Sequence, residues 1–429
     1  MQELAKILVG GLDMINRDIY LNKLVNRMNN GMIKVVTGIR RCGKSFLLFE
    51  IFYNYLIKNG ITKSHIITLQ LDDRINIKYR NPDILCSFIK GKMIDDEMYY
   101  ILLDEVQFVE DFADVLNSLL HIRNADVYVT GSNAKFLSKD IITEFRGRGD
   151  QIHLFPLSFG EYFNYCKLDF EEAWNEYSMY GGMPYLLTCK TDEQKVSYLS
   201  NLFNETYLKD IIERNKVKNN GILEDLLNIV SSSVGSLTNP NKLSNSFKSL
   251  KNVDVAPNTI KQYLDFCEDS FLIQKALRYD VKGKHYIDTP LKYYFEDIGL
   301  RNVRLGFRQQ EENHIMENII FNELVIRGYK VDVGVVTISE KNENNNYVKK
   351  QLEVDFVCNL GYERYYIQSA LNIDDALKKE QEEKSLLRID DSFKKIIIIK
   401  ANIKKWMNEK GILIVGLKEF LTNPELLKY

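Results

Sequence analysis

Gly38-Ile39-Arg40-Arg41-Cys42-Gly43-Lys44-Ser45 decides how this 429-residue chain is read. It follows an apolar, β-branched run (Met32 to Val36) and opens a run with Leu47, Leu48, Ile51 and Tyr55 at helical spacing. Lys58-Asn59-Gly60 closes that run with a glycine, the usual C-terminal stop of a helix. Strand, glycine loop, Lys-Ser and helix is the context that makes G-x-x-x-x-G-K-[ST] a phosphate-binding loop. Glycines let backbone N–H groups crowd around phosphate oxygens, and the helix N-terminus adds a favourable dipole. The spacing assigns Lys44 to the β- and γ-phosphates and Ser45 to Mg²⁺, with Gly38, Arg40, Arg41, Cys42, Gly43 and Phe46 around the nucleotide.

Such a loop needs acids to handle metal and water. Tyr99-Tyr100-Ile101-Leu102-Leu103-Asp104-Glu105 reads as a buried strand ending in two carboxylates. In that position Asp104 would hold Mg²⁺ through water, and Glu105 would orient and deprotonate the attacking water. Val127 to Thr130 reads as a further strand, followed by Gly131, Ser132 and Asn133; either of the last two would touch the γ-phosphate or the water. Arg146-Gly147-Arg148-Gly149 then precedes a strand from Gln151 to Leu157. An arginine there completes a neighbouring subunit's site or is a basic surface turn. Arg17, Asp18 and Tyr20, ahead of the first strand, are placed either to meet adenine or to pack.

Composition sets outer bounds. A formal net charge of −2 excludes a globally basic nucleic-acid binder, so any such contact must be local. Six scattered cysteines without a C-x-x-C pair argue against a disulfide framework or a zinc site and for a reducing cytoplasm. The apolar run Ile7 to Leu12 is short and meets Asp13, so no secretory leader is expected. No apolar stretch approaches the roughly 20 residues of a membrane span.

Several short motifs then follow one another along the chain. These are the Gly38–Ser45 loop, Leu102-Leu103-Asp104-Glu105-Val106-Gln107, Thr130-Gly131-Ser132, Gly147-Arg148, Pro156-Leu157-Ser158-Phe159 and Tyr180-Gly181-Gly182-Met183-Pro184. Together they resemble the prokaryotic AAA-type ATPases with a DUF4143 C-terminal half, over almost the whole chain. The resemblance implies an α/β core, a parallel sheet with helices on both faces, followed by a helical lid. It implies adenine rather than guanine, with ATP and Mg²⁺ as ligands. It makes Ser132 or Asn133 the first sensor and Arg148 an arginine finger, and it turns Gly181-Gly182-Met183-Pro184 toward the nucleotide, unless that turn is a helix break. The expected divisions are an ATPase core at 1–160, a lid at 161–215, a winged helix-turn-helix at 216–305 and a nuclease-like domain at 306–429.

From Ile222 the pattern is helix, short helix, helix, hairpin, and the resemblance also implies a winged helix here. The third helix, from Pro257, would bury Ile260, Tyr263, Leu264 and Cys267 and leave Asn258, Thr259, Lys261 and Gln262 outside. That face suits a major groove, with the Lys282-Gly283-Lys284 hairpin tip on phosphate. Asp265, Glu268 and Asp269 on the same helix oppose DNA, and a protein-docking role stays open.

The tail reads as helix (Glu311 to Arg327), three strands, helix and strand (Lys395 to Lys400), the order of a PD-(D/E)XK nuclease core. Glu353 and Asp355 lie two apart on a strand and so share a face, where Glu317 and Gln368 would join them as ligands for Mg²⁺. Gln368-Ser369-Ala370 lacks the lysine that would activate water, so the domain is expected to be inactive unless Lys378 or Lys379 substitutes. Asn342 to Asn346 reads as a polar hairpin tip.

The leading expectation is a Mg-dependent ATPase coupling nucleotide state to a winged-helix and nuclease-like half. Its partner is DNA, a protein or further copies of the chain. The alternatives are a DNA-binding regulator merely stabilised by nucleotide and a metal-dependent nuclease.

Overall fold

The computed structural model describes residues 15–131, 147–309, 311–341 and 346–427. Residues 1–14 and 132–146, with Ser132, Asn133 and Arg146, lie outside the described residues, as does most of the expected tip at 342–345. The chain forms two compact units. One runs to Pro156 and includes Asp269–Phe271; the other comprises Leu157–Glu268 and Leu272–Tyr429. In the second unit the strands from Ile273 to Gly416 share one sheet.

The first unit is a five-stranded sheet. Its strands are β1 (Ile33–Thr37), β2 (Ile66–Gln70), β3 (Tyr99–Asp104), β4 (Ala125–Thr130) and β5 (Gly149–His153), in the order β2-β3-β4-β1-β5. Every pairing is parallel. Strands covered on both faces need continuous apolar sequence, and β1 and β3 are buried along their whole length. On one face Ile33, Val35, Ile101 and Leu103 pack with Leu85 and Ile89 of the helix Pro82–Lys92 and with Leu116 of the helix Phe112–Leu119. Successive side chains alternate, so Tyr128 faces the other way, where its ring lies 4.6 Å from that of Phe52. Phe52 belongs to the helical run after the glycine loop, which passes through a π segment at Leu47–Phe52. Asn81 starts the helix Pro82–Lys92 by accepting the amides of Asp83 and Ile84, both at 3.1 Å.

The second unit contains an eight-stranded sheet in the order β12-β13-β11-β10-β9-β8-β6-β7. Its strands are β6 (Ile273–Asp280), β7 (His285–Phe295), β8 (Lys330–Lys341), β9 (Tyr347–Leu360), β10 (Glu363–Ala370), β11 (Lys394–Ile399), β12 (Trp406–Met407) and β13 (Ile412–Gly416). Helices Asn220–Ser232, Pro240–Lys251 and Pro257–Asp269 precede β6. The two strands after them do not stand as a separate wing. β6 pairs in parallel with β8 through Arg278↔Val333 to Asp280↔Val335, so the hairpin continues the sheet of the tail. The Lys282 side chain lies 3.7 Å from Asp390.

Two of the short motifs are interlocked in this unit. Ser158 and Glu161 form a reciprocal cap on the helix Phe159–Cys166. The Leu157 amide donates to the Gly182 carbonyl at 2.8 Å, and the Gly182 amide donates to Asp297 at 2.7 Å. A Cβ on Gly182 would meet the Leu157 carbonyl oxygen at 2.1 Å, and one on Gly181 would meet the Asp297 carboxylate at 2.3 Å. Gly181, Gly182 and Met183 are buried. Close backbone packing therefore accounts for this turn, which the sequence left between a nucleotide contact and a helix break.

Candidate functional site

The carboxyl ends of β1, β3 and β4 bring the expected loop and acids together. β1 is the strand from which the chain departs to one side for β2 and to whose other side it returns for β5. Open parallel sheets place ligands at that kind of reversal. Gly38 leaves β1 with φ +140°, and a Cβ there would sit 2.1 Å from the Leu154 carbonyl oxygen. Arg41 and Gly43 also have positive φ, +64° and +105°. This turns the loop sharply before the helix begins at Lys44. The Cys42 thiol is buried and donates to Leu154 O at 3.3 Å, which gives it a packing role.

Arg17 holds the same region from behind. Its buried guanidinium donates to Phe155 O at 2.7 Å and to Cys42 O at 3.4 Å. The Tyr20 hydroxyl accepts the Phe155 amide at 3.2 Å. Of the two readings of these residues, packing is the one their contacts match.

Lys44 is buried, and its ammonium donates to the carbonyls of Gly38 (2.9 Å) and Ile39 (3.1 Å) within its own loop. The Ser45 hydroxyl lies near enough to Asp104 to help lower its pKa. Asp104 is fully buried; one carboxylate oxygen accepts the Thr130 hydroxyl, and the other has no partner. Burial, with the charges of Glu105 and Asp72 beside it, pushes Asp104 up to about 6 against the pull of the Thr130 and Ser45 hydroxyls. Glu105 sits at φ +49°, its amide donating to Thr130 Oγ1 at 2.8 Å and its carboxylate accepting from Gln107. Asp72, at the end of β2, also has a buried oxygen without a partner; burial first, then Glu105, raises its pKa.

Two unpartnered carboxylate oxygens beside a serine hydroxyl are hard donors of the kind Mg²⁺ takes. Among the described residues no group of three or more His, Cys, Asp or Glu side chains could hold a metal. Mg²⁺ is commonly bound by one or two carboxylates together with phosphate oxygens, and this donor set fits that mode. Half-buried Arg40 and Phe46 and exposed Arg41 flank the loop, and Arg148 is exposed just before β5. Thr130, Gln107 and Asp72 are the members that sequence reasoning gave no role; the polar ends of β2 and β4 were the available signal.

A second constellation lies beneath the helix Glu312–Ile326. Glu317, Glu353, Asp355 and Gln368 meet there, around a residue the sequence reading passed over, Lys292 on β7. Its ammonium lies 2.7 Å from Glu317 and 2.7 Å from Glu353, and the Tyr294 hydroxyl donates to Glu317 at 2.6 Å. Lys292 and Tyr294 are two apart on β7 and so share a face. Asp355 accepts the Ser369 amide (2.8 Å) and hydroxyl (2.9 Å). Gln368 accepts the Asp355 amide at 3.0 Å and donates to Glu382 at 3.2 Å. Burial and then the Glu317 charge push Asp355 up to about 7. Burial opposes ionisation of Glu317, yet Lys292 holds it below the usual carboxylate range. Neither expected substitute lysine takes part in these contacts: Lys378 is exposed and donates to Asn372, and Lys379 lies over the Trp406 ring.

Residues 30–163 match the family described as AAA domain (AAA_14). Residues 171–311 match a domain of unknown function, DUF8612, which replaces the DUF4143 half expected from the motifs. An uncharacterized protein of Haemophilus influenzae is 35% identical over 391 residues, covering 90% of this chain and 93% of that protein. An uncharacterized protein of Methanocaldococcus jannaschii is 28% identical over 382 residues, covering 86% and 80%. Among solved structures, the Aeropyrum pernix ORC1 protein in complex with DNA is similar at 9% identity, covering 68% of this chain and 93% of that one. Its TM-score is 0.30, too low to carry an argument. No described helix is long and apolar enough to cross a membrane. The chain belongs to the same family as the Haemophilus influenzae protein, one whose AAA domain is followed here by a DUF8612 domain.

Proposed function

We propose that this protein is an AAA-type ATPase that binds Mg·ATP on the Gly38–Ser45 loop and hydrolyses it. The observation that carries this reading is the meeting of Ser45, just after the β1 loop, with Asp104 and Glu105 at the end of β3, with an Asp104 oxygen buried and unpartnered. Ser45 and Asp104 would hold Mg²⁺, which when bound would supply charge neutralisation at the phosphates. Lys44 exchanges its two carbonyl partners for β- and γ-phosphate oxygens, and the Ser45 hydroxyl and Asp104 hold the metal side. Glu105 orients the attacking water and takes its proton; the Thr130 hydroxyl fixes the backbone from which Glu105 projects. Arg148 is exposed and serves a second copy's nucleotide, and Ser132 or Asn133 senses the γ-phosphate.

The partner we propose for the second unit is DNA, on the helix Pro257–Asp269. Asn258, Lys261 and Gln262 are exposed there while Ile260, Tyr263 and Leu264 are buried; exposed Asp265 confines the contact to the first turns. Calorimetric titration of wild type and Lys44→Ala with Mg·ATP tests the nucleotide reading: binding in the first and loss in the second is expected. Titrating one labelled duplex with ATP, with ADP and with neither tests the coupling. Equal affinity in all three would leave a regulator indifferent to nucleotide.

A further inference from the structure

The tail carries acids in the order of a metal-dependent nuclease, and that order calls for a divalent cation among Glu317, Glu353 and Asp355. The residues present do not fit one. The position that a hard cation would take between the helix carboxylate and the β9 carboxylate is filled by an ammonium, 2.7 Å from each. We propose that Lys292 is the resident cation of this cluster, an intramolecular substitute for a divalent metal ion.

Several independent features support the substitution. Lys292 is 3% exposed, so its charge is committed to the cluster rather than shared with solvent. The ammonium donates a hydrogen bond to Glu317 and forms an ion pair with Glu353. On each acid one oxygen is already engaged, as is the Gln368 carbonyl. One Asp355 oxygen takes both Ser369 donors, Glu317 takes Tyr294 as well as Lys292, and the Gln368 carbonyl takes the Asp355 amide.

Position 370, where the nuclease order has its lysine, is Ala370 on β10, whereas Lys292 is on β7, at the far edge of the same sheet. A buried lysine ion-paired with two carboxylates is not free to activate water. A dication placed beside it would be repelled at close range. The positive charge has therefore moved from the water-activating place to the metal's place, and the cluster acts as a structural ion network.

The test is divalent-ion binding by the full-length chain without nucleotide. Wild type should show no Mn²⁺ site attributable to the cluster, by calorimetry and by comparison with Asp355→Asn. Removing the ammonium in Lys292→Ala should lower Tm and create a Mn²⁺ site. Mn²⁺ should then recover a large part of the lost Tm, K⁺ at equal ionic strength should not, and Lys292→Ala/Asp355→Asn should lose the new site. If Lys292→Ala does not fold in metal-free buffer, refolding in Mn²⁺ decides: recovery of the folded state supports the substitution, and no recovery overturns it. Folded Lys292→Ala without a Mn²⁺ site, or a wild-type Mn²⁺ site lost in Asp355→Asn, also overturns it.

Discussion

The Glu105 amide donates to the Thr130 hydroxyl oxygen at 2.8 Å, and the same hydroxyl donates to Asp104. One side chain on β4 thus fixes both acids at the end of β3, including a Glu105 backbone in the left-handed region. If Glu105 positions water, Thr130 is a positioning residue. Thr130→Val keeps the shape and removes both bonds. It should lower kcat for ATP about tenfold to a hundredfold, with a smaller change in KM, because a misplaced reacting group costs rate more than binding. Thr130→Ser should restore most of the loss. Steady-state kinetics of the three proteins checks this; a Val variant with unchanged kcat would remove Thr130 from the site.

Gly38 has no room for a side chain. A Cβ would overlap the Leu154 carbonyl oxygen at 2.1 Å in a backbone conformation of φ +140°. Gly38→Ala should therefore cost at least about 3 kcal/mol locally and abolish nucleotide binding. Gly60→Ala meets open space at φ +88° and should cost only about 1 kcal/mol. Thermal melts with and without Mg·ATP separate the two.

Asp297 caps the helix Ile298–Arg304 and holds the Gly182 amide, and burial raises its carboxyl from 3.8 to about 6. A raised folded-state value means that the folded chain holds the proton more tightly than the unfolded chain. The contribution is full below 3.8 and lost as pH rises through about 6. Asp297→Asn cannot titrate but can still accept one amide. Its Tm relative to wild type should accordingly rise between pH 4 and pH 6.5 and level off above, a swing on the order of 2–3 kcal/mol. Parallel Tm profiles for the two proteins across that range would show that Asp297 does not titrate as described.

The nucleotide half was legible because its signals are local. β1, β3 and β4 are apolar runs that end in polar residues, and the glycine loop lies between the first strand and its helix. The joining of β6 to β8 was not legible, since parallel pairing between distant segments leaves no mark on either segment's own pattern. Lys292 escaped for a similar reason. Its partners lie 25 and 61 residues away, and the trace it leaves is a lysine within the run Leu291 to Phe295. The sequence leaves Gly181 and Gly182 open between a nucleotide contact and a helix break because their demand for small residues is set by distant groups, the Asp297 carboxylate for Gly181 and the Leu157 carbonyl for Gly182.

The most direct test of the account is hydrolysis of Mg·ATP by wild type, Lys44→Ala and Glu105→Gln measured side by side with nucleotide retention. Wild type should release ADP and phosphate, and Lys44→Ala should neither retain nor hydrolyse ATP. Glu105→Gln should retain ATP while turning over at least about a hundredfold more slowly. Equal turnover by all three proteins, or none by wild type, would contradict it.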